Sequence, residues 1–199
     1  MLLFEDCRAI QKPIMSRLMQ LYQHDFSEFA RADQSWGDVD DDGLFSYIYL
    51  DSYWTEDRRK PLLFRVNDKL AGFAFLSSWS HSGAAVDWCM SEFFTMRKYR
   101  RCGFGRHAAC QIIRGHPGVW EIPIASYNLP AAAFWKNAVA WLANHDIEEF
   151  TGDGTRWSGP KAASKCRFTM IYNSTRSAQC SPRAIGFVRS GFTVGVRPV

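Results

Sequence analysis

The sequence lacks most of the patterns that mark metal centres, secretion or membrane insertion. Its six cysteines (Cys7, Cys89, Cys102, Cys110, Cys166 and Cys180) are irregularly spaced and include no Cys-x-x-Cys pair, so no structural zinc site is legible. The five histidines (His24, His81, His107, His116 and His145) have no metal-ligand spacing, and no metal is expected. No stretch approaches the ~18 apolar residues of a spanning helix. The N-terminus has no basic segment leading into a long apolar run. The expectation is a cytoplasmic chain with reduced thiols and no membrane partner. The lysine and hydroxyl of a P-loop are missing, as is a GxSxG nucleophile motif. The one Gly-x-Gly, Gly103-Phe104-Gly105, lacks the third glycine of a dinucleotide fingerprint, because Ala108 stands there.

Net charge is also small. The formal net charge is +4 over 199 residues, too little to imply a nucleic-acid partner. Two local clusters of opposite sign stand out. Arg97, Lys98, Arg100, Arg101 and Arg106 lie within ten residues, and Asp33, Asp38, Asp40, Asp41 and Asp42 form an acidic stretch far from them. The apolar fraction of 47% and aromatic fraction of 15% are ample for a packed core.

Periodicity then orders the chain. Residues 2–6 can form a first strand. Ile14, Leu18, Leu21, Tyr22 and Phe26 recur at helical spacing within 10–29, with Pro13 in the first turn. A polar loop leads to a second helix expected over 44–56. Strands at 62–66 and 70–79 flank the turn Asn67-Asp68-Lys69 and form a hairpin. A third strand runs over 86–96 with a kink near Ser91. A basic turn (97–105) feeds a helix over 104–114. A strand (119–124), a helix (130–143) and two strands (147–151 and 166–172) follow. The order β-α-α-β-β-β-α-β-α-β-β describes a mixed α/β fold with a central sheet and helices on both faces. Residues 1–172 read as one domain. Residues 173–199, with four arginines and no acidic residue, read as a C-terminal extension.

The informative segment is Glu92 to Arg106. Strand feeds turn and turn feeds helix; Gly103 and Gly105 leave room at the backbone, and the amides of the helix start suit a phosphate or pyrophosphate. Arg100-Arg101-Cys102-Gly103-Phe104-Gly105 resembles the [QR]xxGx[GA] pyrophosphate loop of the GNAT N-acyltransferases. Glu92 to Arg97 resembles that family's fourth strand, and Ile122 to Trp135, with Asn128-Leu129-Pro130-Ala131, its fifth strand and fourth helix. Phe134-Trp135 and the later Trp157-Ser158-Gly159-Pro160 look like a bacterial acetyltransferase subfamily without a settled substrate.

The resemblance implies transfer of an acetyl group from acetyl-CoA to a primary amine by direct attack. By position, the backbone of Phe94, Thr95 and Met96 would bind pantetheine, the amides of Arg101, Cys102, Gly103, Phe104, Gly105 and Arg106 would hold the pyrophosphate beside Arg100, and Asn128 would contact the pantetheine arm. Glu92 is the candidate general base, its pKa raised by apolar neighbours; the competing reading is an ordinary strand-surface glutamate. Many relatives carry a tyrosine seven residues after the asparagine as general acid. Here that position is Trp135, whose indole cannot supply a proton at neutral pH, and Tyr127 is the substitute candidate. Trp135 is then a packing residue or a pocket wall. The acceptor wall falls on Asp33 to Trp54, with Asp33, Trp36, Tyr47, Tyr53 and Trp54 as contacts. That mixture of acids and aromatics suits a cationic small molecule, such as a polyamine or aminoglycoside, or a basic peptide. A non-catalytic acyl-CoA sensor on the same fold is the alternative, and a homodimer stays open.

Overall fold

A computed structural model describes residues 1–142 and the backbone of two further strands, 147–152 and 165–172. The expected extension at 173–199 and the loop 153–164 lie outside the described residues. The elements are β1 (Leu2–Asp6), α1 (Lys12–Phe26), α2 (Ser52–Thr55), β2 (Lys60–Val66), β3 (Lys69–Ser77), β4 (Trp88–Thr95), α3 (Phe104–Gly115), β5 (Gly118–Ala125), α4 (Leu129–Ala140), β6 (Ile147–Gly152) and β7 (Lys165–Tyr172).

The strands form one sheet in the order β1-β2-β3-β4-β5-β7-β6. Every neighbouring pair is antiparallel except β4 and β5, which run parallel. The β2–β3 hairpin closes through Asn67 and Asp68, both with positive φ (49° and 62°), the conformation a two-residue turn needs if it is to match strand twist. Alternation along β3 sends Phe73 and Phe75 to one face and Ala74 and Leu76 to the other. On the first face they pack with Met15, Leu18 and Met19 of α1 and Tyr53 of α2. On the second they meet Ala109 and Ile113 of α3, Trp120 and Ile122 of β5, and Trp135 and Val139 of α4. Helices therefore cover both faces.

Two expectations need correction. Leu21, read as part of the buried stripe of α1, is 48% exposed, and Met15 and Met19 fill the core instead. The helix expected over 44–56 shrinks to the single turn of α2. The reason is competition for its backbone. The side chain of Gln20 donates to Phe45 O (3.0 Å) and accepts from Phe45 N–H (2.8 Å), while Gln23 donates to Ser46 O (3.1 Å). These bonds lay the 44–50 segment along α1 as an irregular strap.

Two departures from sheet regularity position the site. The β3–β4 register slips between Phe75↔Glu92 and Leu76↔Met90, leaving Ser91 as the extra residue of a bulge, where the sequence placed a kink. The parallel β4–β5 register is confined to Trp88↔Trp120 and Cys89↔Glu121. Past Cys89 the two strands part.

Candidate active site

Where β4 and β5 part, a cleft of about 560 Å³ opens between α1, the 44–50 strap, β4, β5 and the start of α4. Glu92, just past the bulge, lines it. Tyr22 Oη donates to Glu92 Oε2 at 2.5 Å and Tyr47 Oη to Oε1 at 3.1 Å, so each carboxylate oxygen holds one phenol. Tyr22 comes from α1 and Tyr47 from the strap. Burial pushes the Glu92 carboxyl up to about 7, against the two hydrogen bonds, which act to lower it. Burial and the adjacent Glu92 charge drive both phenols well above their ordinary range, so they act as fixed donors at neutral pH.

Much of the wall is aromatic. Tyr22, Trp36, Tyr47, Tyr53, Trp79 and Trp135 all face the cleft. Among the described residues Glu92 is the one carboxylate in the lining, and Arg59 the one guanidinium or ammonium group. Trp135 is 5% exposed and packs edge-on to Phe93 at 5.2 Å, so it is both core and wall. Tyr53 stacks on Phe75 at 3.8 Å.

Beyond the cleft, β4 runs into the basic turn. Met96 N–H donates to Ala71 O at 2.8 Å. Strand alternation therefore turns the backbone groups of Thr95 and Phe93 away from β3, toward the side that β5 has left; Thr95 O accepts from Arg100 Nε at 2.6 Å. Arg101 (φ 60°) and Gly103 (φ 79°) carry the chain through left-handed conformations into α3. The first backbone bond of the helix is His107 N–H to Gly103 O, 3.0 Å. Among the described residues no acceptor pairs with the amides of Arg101 to Arg106. Gly103 is the N-cap, has no side chain to satisfy them, and its Cβ position faces open space. Consecutive unpaired amides at a helix start form a concave, positively polarised cradle for an anion. Gly105 sits closer in: a Cβ there would lie 3.0 Å from Thr95 Oγ1. The residues present thus fit a pyrophosphate bound through main-chain amides.

The arginines divide their roles. Arg100 is tied to Asp25 and lies over the Phe94 ring at 5.6 Å. Arg97 also binds Asp25, Nε to Oδ1 at 2.9 Å. Burial acts to raise the Asp25 pKa, but the hydrogen bonds from Arg97 and Arg100 outweigh it and hold the group below its ordinary value. Asp25, which the sequence reading did not single out, thereby staples the end of α1 to the turn. Arg106 packs over Trp141 at 4.5 Å; Arg101 and Cys102 are exposed.

The remaining candidates scatter. Asn128 lines the cleft, and its Oδ1 caps α4 by accepting from Ala131 N–H at 3.0 Å. The Phe94 side chain is buried on the α1 face. Tyr127 is outside the cleft lining: it packs with Phe26, Phe29 and Trp36, and its buried hydroxyl has no hydrogen-bond partner among the described residues. Trp36, Tyr47 and Tyr53 line the cleft, but Asp33 and Trp54 do not. Asp33 pairs with Arg31 at 2.6 Å on the surface, and Trp54 donates to Cys7 O at 2.7 Å. Asp40 accepts from the amides of Asp42 and Leu44 in its own loop. The acidic stretch is a set of exposed loop residues that leaves the cleft wall to aromatics. Tyr22 was legible only as one apolar position of a helix; nothing local pairs it with a glutamate 70 residues away.

No known family profile matches the chain, and no curated protein matches it in sequence. Solved structures do match in shape. A GNAT-family acetyltransferase from Staphylococcus aureus superposes with a TM-score of 0.54 at 12% identity, over 86% of this chain and 99% of that one. Diaminobutyrate acetyltransferase from Paenibacillus lautus, bound to L-2,4-diaminobutyric acid and coenzyme A, gives 0.55 at 11% identity, over 86% and 95%. Spermidine N-acetyltransferase from Vibrio cholerae, bound to CoA and spermine, gives 0.51 at 12% identity, over 86% and 95%. At these identities the likeness is one of architecture, and with the parted β4–β5 pair and the amide cradle in the same chain it establishes that this protein has the fold of the GNAT acetyltransferases.

Proposed function

We propose that the chain is an acetyl-CoA-dependent N-acetyltransferase that acts on a small amine by direct attack. The observation that carries this reading is Glu92: a carboxyl with a pKa near 7, fixed by two phenols, facing a cleft beside β4, the strand that runs on into an amide cradle. A general base works best when its pKa lies near the working pH.

The amides of Arg101 to Arg106 hold the pyrophosphate, and the outward backbone groups of Phe93 and Thr95 offer hydrogen bonds to the pantetheine arm and the acyl oxygen. Bound there, acetyl-CoA supplies an activated thioester carbon. The acceptor ammonium enters the aromatic cleft and loses its proton to Glu92, directly or through one water, and the free amine is then oriented for attack. Tyr22 and Tyr47 keep both carboxylate oxygens in place. No step is assigned to Tyr127 or Trp135, and the thiolate leaves without a protein acid.

Calorimetric titration of acetyl-CoA into the wild type and Gly103→Trp tests the cradle, and thiol release over an amine panel with Glu92→Gln tests the base. Micromolar binding lost in Gly103→Trp, with turnover lost in Glu92→Gln, is expected. Absence of binding by the wild type would refute the reading. Binding without turnover of any amine would favour an acyl-CoA sensor.

A further inference from the structure

The cleft carries two charges of opposite sign, and they are set apart. Glu92 is held from α1 and the strap by Tyr22 and Tyr47. Arg59 enters from just before β2, its Nε bound to Glu56 Oε2 at 2.6 Å and its guanidinium over the rings of Tyr53 (5.2 Å) and Tyr49 (5.9 Å). The Arg59 side chain is 22% exposed, so it is positioned rather than swept through solvent. Tyr47 donates to Glu92 and the Tyr53 ring lies under Arg59, and Trp36, Trp79 and Trp135 line the same cleft.

We propose that the acceptor is an amine that also bears a flat apolar body and a carboxylate, in the chemical class of the aromatic α-amino acids, with its nitrogen at Glu92, its body among the rings and its carboxylate at Arg59. The proposal rests on the acetyl-transfer reading above and narrows it. A guanidinium with a fixed plane matches a carboxylate in two-point contact. Flat apolar groups gain from offset and edge contacts with aromatic walls. A polyamine fits poorly: its second ammonium would find no second carboxylate in the lining and would meet Arg59, a like charge. The surface acids that would have served a polycation lie in the exposed 33–42 loop.

The test is binding, read by quenching of intrinsic tryptophan fluorescence and by calorimetry, with four probes: L-phenylalanine, phenethylamine (no carboxylate), L-alanine (no ring) and spermidine (a polycation). L-Phenylalanine is expected to bind tightest, with phenethylamine weaker by about 10- to 100-fold, the range for losing one charge-assisted contact. Arg59→Gln should weaken L-phenylalanine by a similar factor and leave phenethylamine unchanged. Spermidine or L-alanine binding as tightly as L-phenylalanine, an Arg59→Gln effect equal on both aromatic amines, or no binding of any probe would each overturn the proposal. The four-probe ranking on the wild type decides the matter should Arg59→Gln fold poorly. A parallel acetyl-CoA titration separates the two levels: coenzyme binding without this ranking sinks only the acceptor class, and no coenzyme binding sinks the acetyl-transfer reading.

Discussion

Replacing Glu92 with glutamine should remove activity and add stability, each in a defined pH range. The carboxyl has a pKa of about 7 in the fold against the usual 4.5. A raised carboxyl pKa means that the folded state holds its proton more tightly than the unfolded state. Stability therefore falls as pH rises from 4.5 to 7 and is level above that. At 1.36 kcal/mol per tenfold change, the gap amounts to about 3 kcal/mol lost to the buried charge at pH 8. Glutamine keeps the shape, accepts from one phenol through its oxygen and donates to the other through its amide, and carries no charge. At pH 4.5, the low end of the window, the two proteins should melt nearly together. At pH 8 the variant should be more stable by up to about 3 kcal/mol, or roughly 6 to 12 °C in Tm for a chain of this size. Turnover at pH 8 should drop by about 100- to 10,000-fold, the range for losing a positioned base, and the rise of kcat/KM with pH near 7 should vanish. Thermal melts from pH 4.5 to 9 and a thiol-release assay read both effects. A Tm difference that does not change with pH would refute the buried-charge argument. A variant that keeps its rate and its pH limb would refute the assignment of Glu92 as base.

Other perturbations probe the frame. Tyr22→Phe removes a hydrogen bond that lowers the Glu92 pKa, so the midpoint of the pH–rate profile should move above 7 while circular dichroism stays unchanged. Gly72→Ala would place a Cβ 2.0 Å from Phe94 O and 2.2 Å from the Phe64 ring; a loss of about 1–3 kcal/mol in urea melts is expected from overpacking. Asn128→Ala removes the N-cap of α4 and should cost about 1 kcal/mol in the same assay. Gly103→Ala has open space for its Cβ but a left-handed φ of 79°, so it should cost roughly 1–2 kcal/mol through backbone strain and leave coenzyme affinity nearly intact, in contrast to Gly103→Trp.

Sequence reasoning works best where structure is local. The Asn67-Asp68 turn, the strand into the basic turn and the glycine-started α3 are each specified within a few residues, so their places could be read directly. Helix α2 could not, because the competitors for its backbone, Gln20 and Gln23, lie about 25 residues away on α1. The cleft wall failed for a similar reason. Acids and aromatics interleave over 33–54, and composition does not tell which of them turns inward; Asp33 found Arg31 two residues away, while Tyr47 found Glu92. Asp25 carries no local signal, since its partners Arg97 and Arg100 lie more than 70 residues away; Arg59 has its contacts nearby in Glu56, Tyr53 and Tyr49, but nothing local says that they border the cleft.

Strand β4 is one residue longer than its partner requires. On β3, Phe75 and Leu76 are adjacent and face opposite ways, and across from them Glu92 and Met90 also face opposite ways, with Ser91 between. Removing Ser91 would leave every core side chain on its own side of the sheet, and an even ladder would follow. What would go is the bend, and with it the reason for β4 to leave β5. A protein shortened by that one serine is expected to fold, to melt cooperatively and to have no cleft: the core does not need the residue, and the gap beside Glu92 does.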